Sequence, residues 1–222
     1  MADSKLSGLT ELATTPAAGD LLYIVDISES DDDDKSKKIT VDNLLDYGAV
    51  YLTEHIGLPE APSTTGKATQ YDLTSGAGDL AGEVQTDYPR NVVLFITDGD
   101  ASISALSVTI TGTLATGTAS TETITETTAG AHAGSKAWAQ ITNIEVDSVT
   151  GAAAGDTLDV GWGEKIGLMN AISASSDILK VTIDQTDSAV ASQTVNATNN
   201  TVVFASAPNG TRIFKVFYKS RS

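Results

Sequence analysis

The chain has no cysteine. Disulfides, thiolate nucleophiles and thiolate zinc sites are therefore excluded, and the redox compartment is left unread. It has two histidines, His55 and His132, so a histidine-assisted hydrolase has to use one of them. Basic residues are scarce: 13 Lys and Arg face 29 Asp and Glu, a formal net charge of −16. Such a surface repels phosphate backbones and gains nothing from counterion release, so no nucleic-acid partner is expected. Aromatic residues make up only 5%. No apolar run reaches the length of a membrane span, and no membrane insertion is expected. Residues 1–20 lack the apolar segment of a signal peptide. The expected product is soluble, made in a cytoplasm and not exported by the general secretory route.

Against those absences stand 222 residues and a 41% hydrophobic content. That is enough to bury a core, in one ordinary domain plus a smaller module. The visible bias is toward Thr, Ala, Ser and Gly, the composition of short strands joined by tight turns. Three parts can be told apart: residues 1–48, 49–89 and 90–222.

In the first part, Leu6, Leu9 and Leu12 recur at helix-like spacing, and "TTPAAGD" (14–20) carries turn signals. "LLYIVD" (21–26) and "SKKIT" (36–40) read as two strands of a hairpin. "TVDNLLDYG" (40–48) reads as a short helix, with Thr40 as N-cap, Asp42 in the first turn and Gly48 as stop. The run Asp31–Asp34 lies at the tip of the excursion between the strands, where water solvates its charge. A cation cage needs spaced oxygens that converge, often around a glycine, and four consecutive aspartates do not supply that. "DDDDK" is also the string cut by enteropeptidase, but its place between two strands marks it as native.

Residues 49–89 mix Pro, Gly, Ser and Thr with little periodicity and read as a linker or extended arm. Residues 90–222 are rich in strands. "ALSVTITGT" (105–113) alternates cleanly, with Leu106, Val108 and Ile110 on one face. "ASTETITETT" (119–128) is more polar, an edge strand whose glutamates discourage pairing. Further strands are expected within 137–146, 156–162, 177–184, 190–197, 200–206 and 211–220, with "APNG" (207–210) as a turn before the last. No long amphipathic helix interrupts them. The fold class is mainly β: an antiparallel β-sandwich or barrel preceded by a small hairpin-plus-helix module.

The pattern "LTEL…DLLYIVD" followed by "SKKIT…NLL" resembles an N-terminal module of tailed-bacteriophage virion proteins such as tail fibres and head fibres. In such proteins this part attaches the appendage to the particle. The resemblance thus implies particle attachment for Leu9, Leu12, Leu21, Leu22, Tyr23, Ile24, Val25, Lys37, Lys38, Ile39, Val41, Leu44 and Leu45. The same residues also suffice to form a tiny core. "DTLDVGWGEKIGL" and "SAPNGTRIFKVFY", with the strands between them, are similar to a β-rich domain of phage virion proteins described as head-fibre or decoration proteins. That likeness spans most of residues 90–222. It implies location in the virion, a homotrimer, and a partner in the major capsid protein or another virion protein.

No nucleophile elbow, phosphate-binding loop or dinucleotide-binding glycine pattern occurs. His132 lies in the small-residue stretch "TTAGAHAGSKAW", read as a loop, and Ser135 is too near in sequence for a triad. "DGD" (98–100) and "DQTD" (184–187) could supply paired carboxylates for glycan hydrolysis or calcium, but both sit where turns are expected. Trp138 and Trp162 read as core or interface residues. No catalytic, metal or cofactor residue is assigned. The expected function is non-enzymatic: a capsid decoration or head-fibre protein. The alternative is a tail-fibre-like adhesin gripping host-surface glycan with Trp162 or Tyr218, and the third reading is a small depolymerase.

Overall fold

The structure is a computed structural model, and it describes residues 21–25, 36–40, 49–81 and 84–220. The chain divides into two compact units, Met1–Ala49 and Val50–Ser222. In the first, β1 (Leu21–Val25) pairs antiparallel with β2 (Ser36–Thr40), from Leu21 opposite Thr40 to Val25 opposite Ser36. Of the residues implied in attachment, Leu21, Leu22, Tyr23, Ile24, Val25, Lys37, Lys38 and Ile39 lie on this hairpin. Leu9, Leu12, Val41, Leu44 and Leu45, the predicted helices and the Asp31–Asp34 run lie outside the described residues.

The second unit is mainly antiparallel β. Its strands are β3 (Val50–Gly57), β4 (Ser63–Asp72), β5 (Gly78–Ala81), β6 (Val84–Thr97), β7 (Ala105–Leu114), β8 (Ala119–Glu126), β9 (Gly130–Thr150) and β10 (Thr157–Gly167). They continue with β11 (Ile178–Ile183), β12 (Thr186–Ser188), β13 (Thr194–Asn196), β14 (Thr201–Val203) and β15 (Phe214–Ser220). A nine-stranded sheet runs β13-β14-β10-β6-β9-β7-β8, with β4 also on β10 and β5 also on β9, and it curls into a half-barrel. A four-stranded sheet runs β12-β11-β15-β3.

Alternation explains the main core. In β7 the apolar Leu106, Val108 and Ile110 are buried while Ser107, Thr109 and Thr111 are half-exposed. They pack with Leu94 and Ile96 of β6, Trp138, Ile144 and Val146 of β9, and Leu158 and Val160 of β10. A second core gathers Ile166, Leu168, Ile178, Val181, Val202 and Val216 around stacked Phe204 and Phe214, whose ring centroids are 4.6 Å apart. Strand β10 therefore serves both cores. A break in its register with β6 between Trp162 and Ile166 marks the change, so "GWGEK" is the corner its glycines favour.

The turns follow local chemistry. Asp184 and Gln185, between β11 and β12, both have positive φ (53° and 65°), the signature of a tight type I′ hairpin. In "APNG" the Asn209 carboxamide oxygen accepts from the amides of Thr211 and Arg212 at 3.0 and 2.9 Å.

The expectation of a linker or arm over 49–89 is corrected. Strand β3 pairs with β15 from Gly57 opposite Phe214 to Val50 opposite Ser220. Strand β4 lies on β10, β5 lies on β9, and β6 already begins at Val84. Pro59 and Pro62 fall in the loop between β3 and β4, where a missing N–H costs nothing. The polar β4 has weak strand propensity of its own and forms against an edge that β10 presents.

One close approach gives a test. A methyl group on Gly161 would land on the Ser63 carbonyl of β4, whereas one on Gly99 meets open space. Gly161→Ala should therefore lose about 1–3 kcal/mol in urea unfolding, and Gly99→Ala should lie within about 0.5 kcal/mol of wild type.

Candidate functional site

The register break in β10 opens a cavity of about 370 Å³ on the large sheet. Its lining includes Trp162, Glu164 and Lys165 of β10, Asn91 and Val93 of β6, and Ala133 of β9. Small side chains make the space, and the buried Asn91 holds it open. The Asn91 amide donates to the carbonyls of Val92 and Gly134 at 3.1 and 3.3 Å, and its oxygen accepts from the Lys165 amide at 2.9 Å. The Lys165 ammonium donates to the Gly134 carbonyl at 2.6 Å. The Trp162 indole is oriented by its own N–H, which donates to the Ala61 carbonyl at 3.1 Å. Trp162, expected in a core or interface, is thus a half-buried cavity wall. Trp138 is fully buried.

Behind the corner lies Arg90, also fully buried. Its Nε donates to the Gly163 carbonyl at 2.9 Å and its Nη1 to the Glu60 carbonyl at 2.7 Å, with Asp87 at 3.7 Å. Burial pushes its pKa down, and the charges of Asp87, Glu60 and Glu164 pull the other way.

A second polar cluster joins the two sheets. Glu54 of β3 is buried, 8% exposed. Its carboxylate accepts from the Tyr88 hydroxyl, from the Tyr218 hydroxyl at 2.7 Å and from the Met169 amide at 3.1 Å. The Asn170 amide donates to the Tyr218 oxygen at 3.3 Å. Burial holds the Glu54 carboxyl above the ordinary carboxylate range, opposed by the bonds from Tyr218 and Met169. Tyr218 is pushed up to about 12, chiefly by burial. Because Tyr218 is only 1% exposed, it cannot face a glycan as the adhesin reading had it.

The acids flagged in the sequence separate. Asp98 and Asp100 close the turn after β6, while Asp184 and Asp187 sit at the β11–β12 turn of the other sheet. Asp98 does meet Asp156: with Asp100, their carboxylates converge within 4.8 Å, the arrangement best suited to a cation among the described residues. Those oxygens already accept backbone amides, Asp98 from Ser102 and Ile103 and Asp156 from Gly99 and Ala153, so they staple two turns together.

His132 is corrected from a loop position to strand β9. Its Nδ1 lies 3.1 Å from Glu126, and its Nε2 lies 2.9 Å from the Thr128 carbonyl. Ser135 instead donates to Glu122 through both its amide and its hydroxyl at 2.6 Å. The two glutamates expected to guard the β8 edge are therefore engaged by β9. His55 is an exposed residue of β3.

Glu54, Arg90 and Asn91 are the functional-looking residues that sequence reasoning missed. A buried carboxylate on an alternating strand leaves one cue, Glu54 at an inward position between Leu52 and Ile56. That cue needs β3 to be recognised as a strand first. No protein-family model, curated protein or solved structure matches the chain. Among the described residues no helix is long and apolar enough to cross a membrane.

An acid whose pKa is raised by folding stabilises the fold in its protonated form. That contribution is complete below the unfolded value and is lost as pH rises through the folded one. Wild type should therefore gain stability relative to Glu54→Gln as pH is lowered from 7 toward 4, read from urea midpoints of both proteins. A parallel pH dependence would show that Glu54 is not desolvated. At neutral pH Glu54→Ala should cost about 2 kcal/mol or more, because two buried hydroxyls and an amide lose their acceptor.

Proposed function

We propose that the chain is a non-enzymatic structural protein of a tailed-phage virion, a capsid decoration or head-fibre protein. Residues 1–48 dock on the particle and the β-rich unit projects from it. The observation that carries this reading is a coincidence of boundaries. The chain divides after Ala49, four residues beyond Leu45, where the resemblance to fibre attachment modules ends. The segment beyond the boundary contains the second resemblance, "DTLDVGWGEKIGL" through "SAPNGTRIFKVFY".

On this reading the work is binding without turnover. The partner is the major capsid protein or another virion protein, and the chain self-associates as a homotrimer, as such appendages do. Several weak contacts then add, because the first attachment raises the effective concentration for the rest. The net charge of −16 keeps many copies soluble at high local density.

A side-chain-resolution reconstruction of the native particle tests this directly. The expected result is density for the chain on the capsid lattice, with residues 1–48 against the shell. Density confined to the tail would overturn the decoration assignment and favour an adhesin.

A further inference from the structure

We infer that Asn209–Gly210 is a self-modification site, an asparagine that converts to aspartate and isoaspartate, and that the loop between β3 and β4 is its gate. The inference is independent of the virion assignment.

The chemistry is that of an asparagine followed by glycine, and the chain has one such pair. The Gly210 nitrogen gives its proton to water or hydroxide and attacks the side-chain carbonyl carbon of Asn209. A carbon–nitrogen bond forms there and the bond to Nδ2 breaks, which releases ammonia and leaves a five-membered imide. Water then opens the imide on one side to aspartate or on the other to isoaspartate. One water enters and one ammonia leaves, with no oxidant or reductant. Three features of the turn suit this reaction. Asn209 and Gly210 are exposed, so water reaches both. Gly210 has a φ of +77° and open space where a side chain would stand, so nothing crowds the ring. The Asn209 Oδ1 accepts from the Thr211 amide at 3.0 Å, the Thr211 hydroxyl at 2.9 Å and the Arg212 amide at 2.9 Å. Those donors are aimed at the oxygen that gains charge as its carbon is attacked.

One contact opposes the reaction. The Gly210 N–H donates to the Pro59 carbonyl at 2.8 Å, which holds the proton that has to leave. Pro59 is buried, and its carbonyl belongs to the same peptide group as the Glu60 amide. That amide donates to Asp87 at 2.6 Å, and the Glu60 carbonyl accepts from the buried Arg90 at 2.7 Å. Hydrogen bonds at both ends of one peptide group polarise it and strengthen each other. Asp87 therefore bears on Asn209 through one shared peptide group. The asparagine reacts when this clasp opens. Isoaspartate, with one more main-chain carbon, then no longer sets Gly210 opposite Pro59.

The test follows conversion at Asn209 in the full chain by peptide mass spectrometry in a mildly alkaline buffer, both folded and in urea. Hydrogen exchange of the Gly210 amide is measured alongside. An opening populated at roughly 0.1–10% should make the folded chain about 10- to 1,000-fold slower to convert than the chain in urea. Exchange and attack need the same opening, so this slowing and the protection of the Gly210 amide should agree within about threefold. Asp87→Ala, a change at an exposed residue, should quicken both at least about threefold in the folded chain and leave conversion in urea unchanged. Equal conversion in folded and urea-treated chains would overturn the gate, as would an Asp87→Ala chain that converts no faster when folded. Conversion that stays undetected in the folded chain while its Gly210 amide exchanges would overturn the site itself.

Discussion

The second unit depends on one strand that serves two cores. Strand β10 pairs with β6, β4 and β14, and it is the element on which the large sheet and both cores converge. Its first half buries Leu158 and Val160 in the main core, its far end buries Ile166 in the second, and Leu168 just beyond it joins the second core too. Between the two cores its register with β6 breaks: Trp162 pairs with Val92 and Ile166 with Arg90, so β10 spends four residues where β6 spends two. Backbone groups in this break are met by Asn91, which accepts from the Lys165 amide, and by Arg90, which donates to the Gly163 carbonyl. The cavity is the space that such a corner leaves.

The smaller sheet is tied on by a different device. Glu54 binds Tyr88, Met169 and Tyr218, which lie 34, 115 and 164 residues away in the chain. This polar node bridges β3, β6, the segment after β10, and the penultimate turn of sequence in β15. Each contact closes a long loop, and none rewards the chain until most of the fold is present. A carboxylate there costs desolvation, which the raised pKa records, but it aligns three elements that apolar contacts alone would let slide.

This division of labour explains what could be read from the sequence. Strand β7 was legible because alternation is local: Leu106, Val108 and Ile110 declare a buried face without reference to a partner. The "APNG" turn and the β1–β2 pairing were legible for the same reason, since Asn, Gly and apolar runs act over a few residues. Strand β4 was not, because "STTGKATQYD" is extended only where β10 lies beside it. His132 read as a loop residue because glycine and alanine surround it, yet Gly130–Ala133 pair with Val93–Ile96 of β6 inside the long β9. Asn91 and Arg90 gave no signal at all. Their roles are defined by carbonyls on β9 and β10 whose positions follow from the bulge.

The scarcity of basic residues leads to the same architecture from another direction. With 29 acids and 13 Lys and Arg, most carboxylates cannot find a cation. The buried ones find amides and hydroxyls instead. Asp156 accepts from Gly99 and Ala153, Asp159 from Gln70, and Asp177 accepts from Ser173 and Ala174 in addition to its ion pair with Lys219 at 3.8 Å. Glu54 takes two tyrosine hydroxyls, and on the surface Asp147 takes Ser107 and Thr109. A β protein has many turn amides with no ladder partner, and an aspartate placed beside a turn satisfies two at once. The acidic composition therefore does structural work where the chain bends, and the Ser- and Thr-rich composition supplies neutral donors along the strands. What remains unneutralised, as at Glu164, lies on the surface, where its charge acts on whatever approaches.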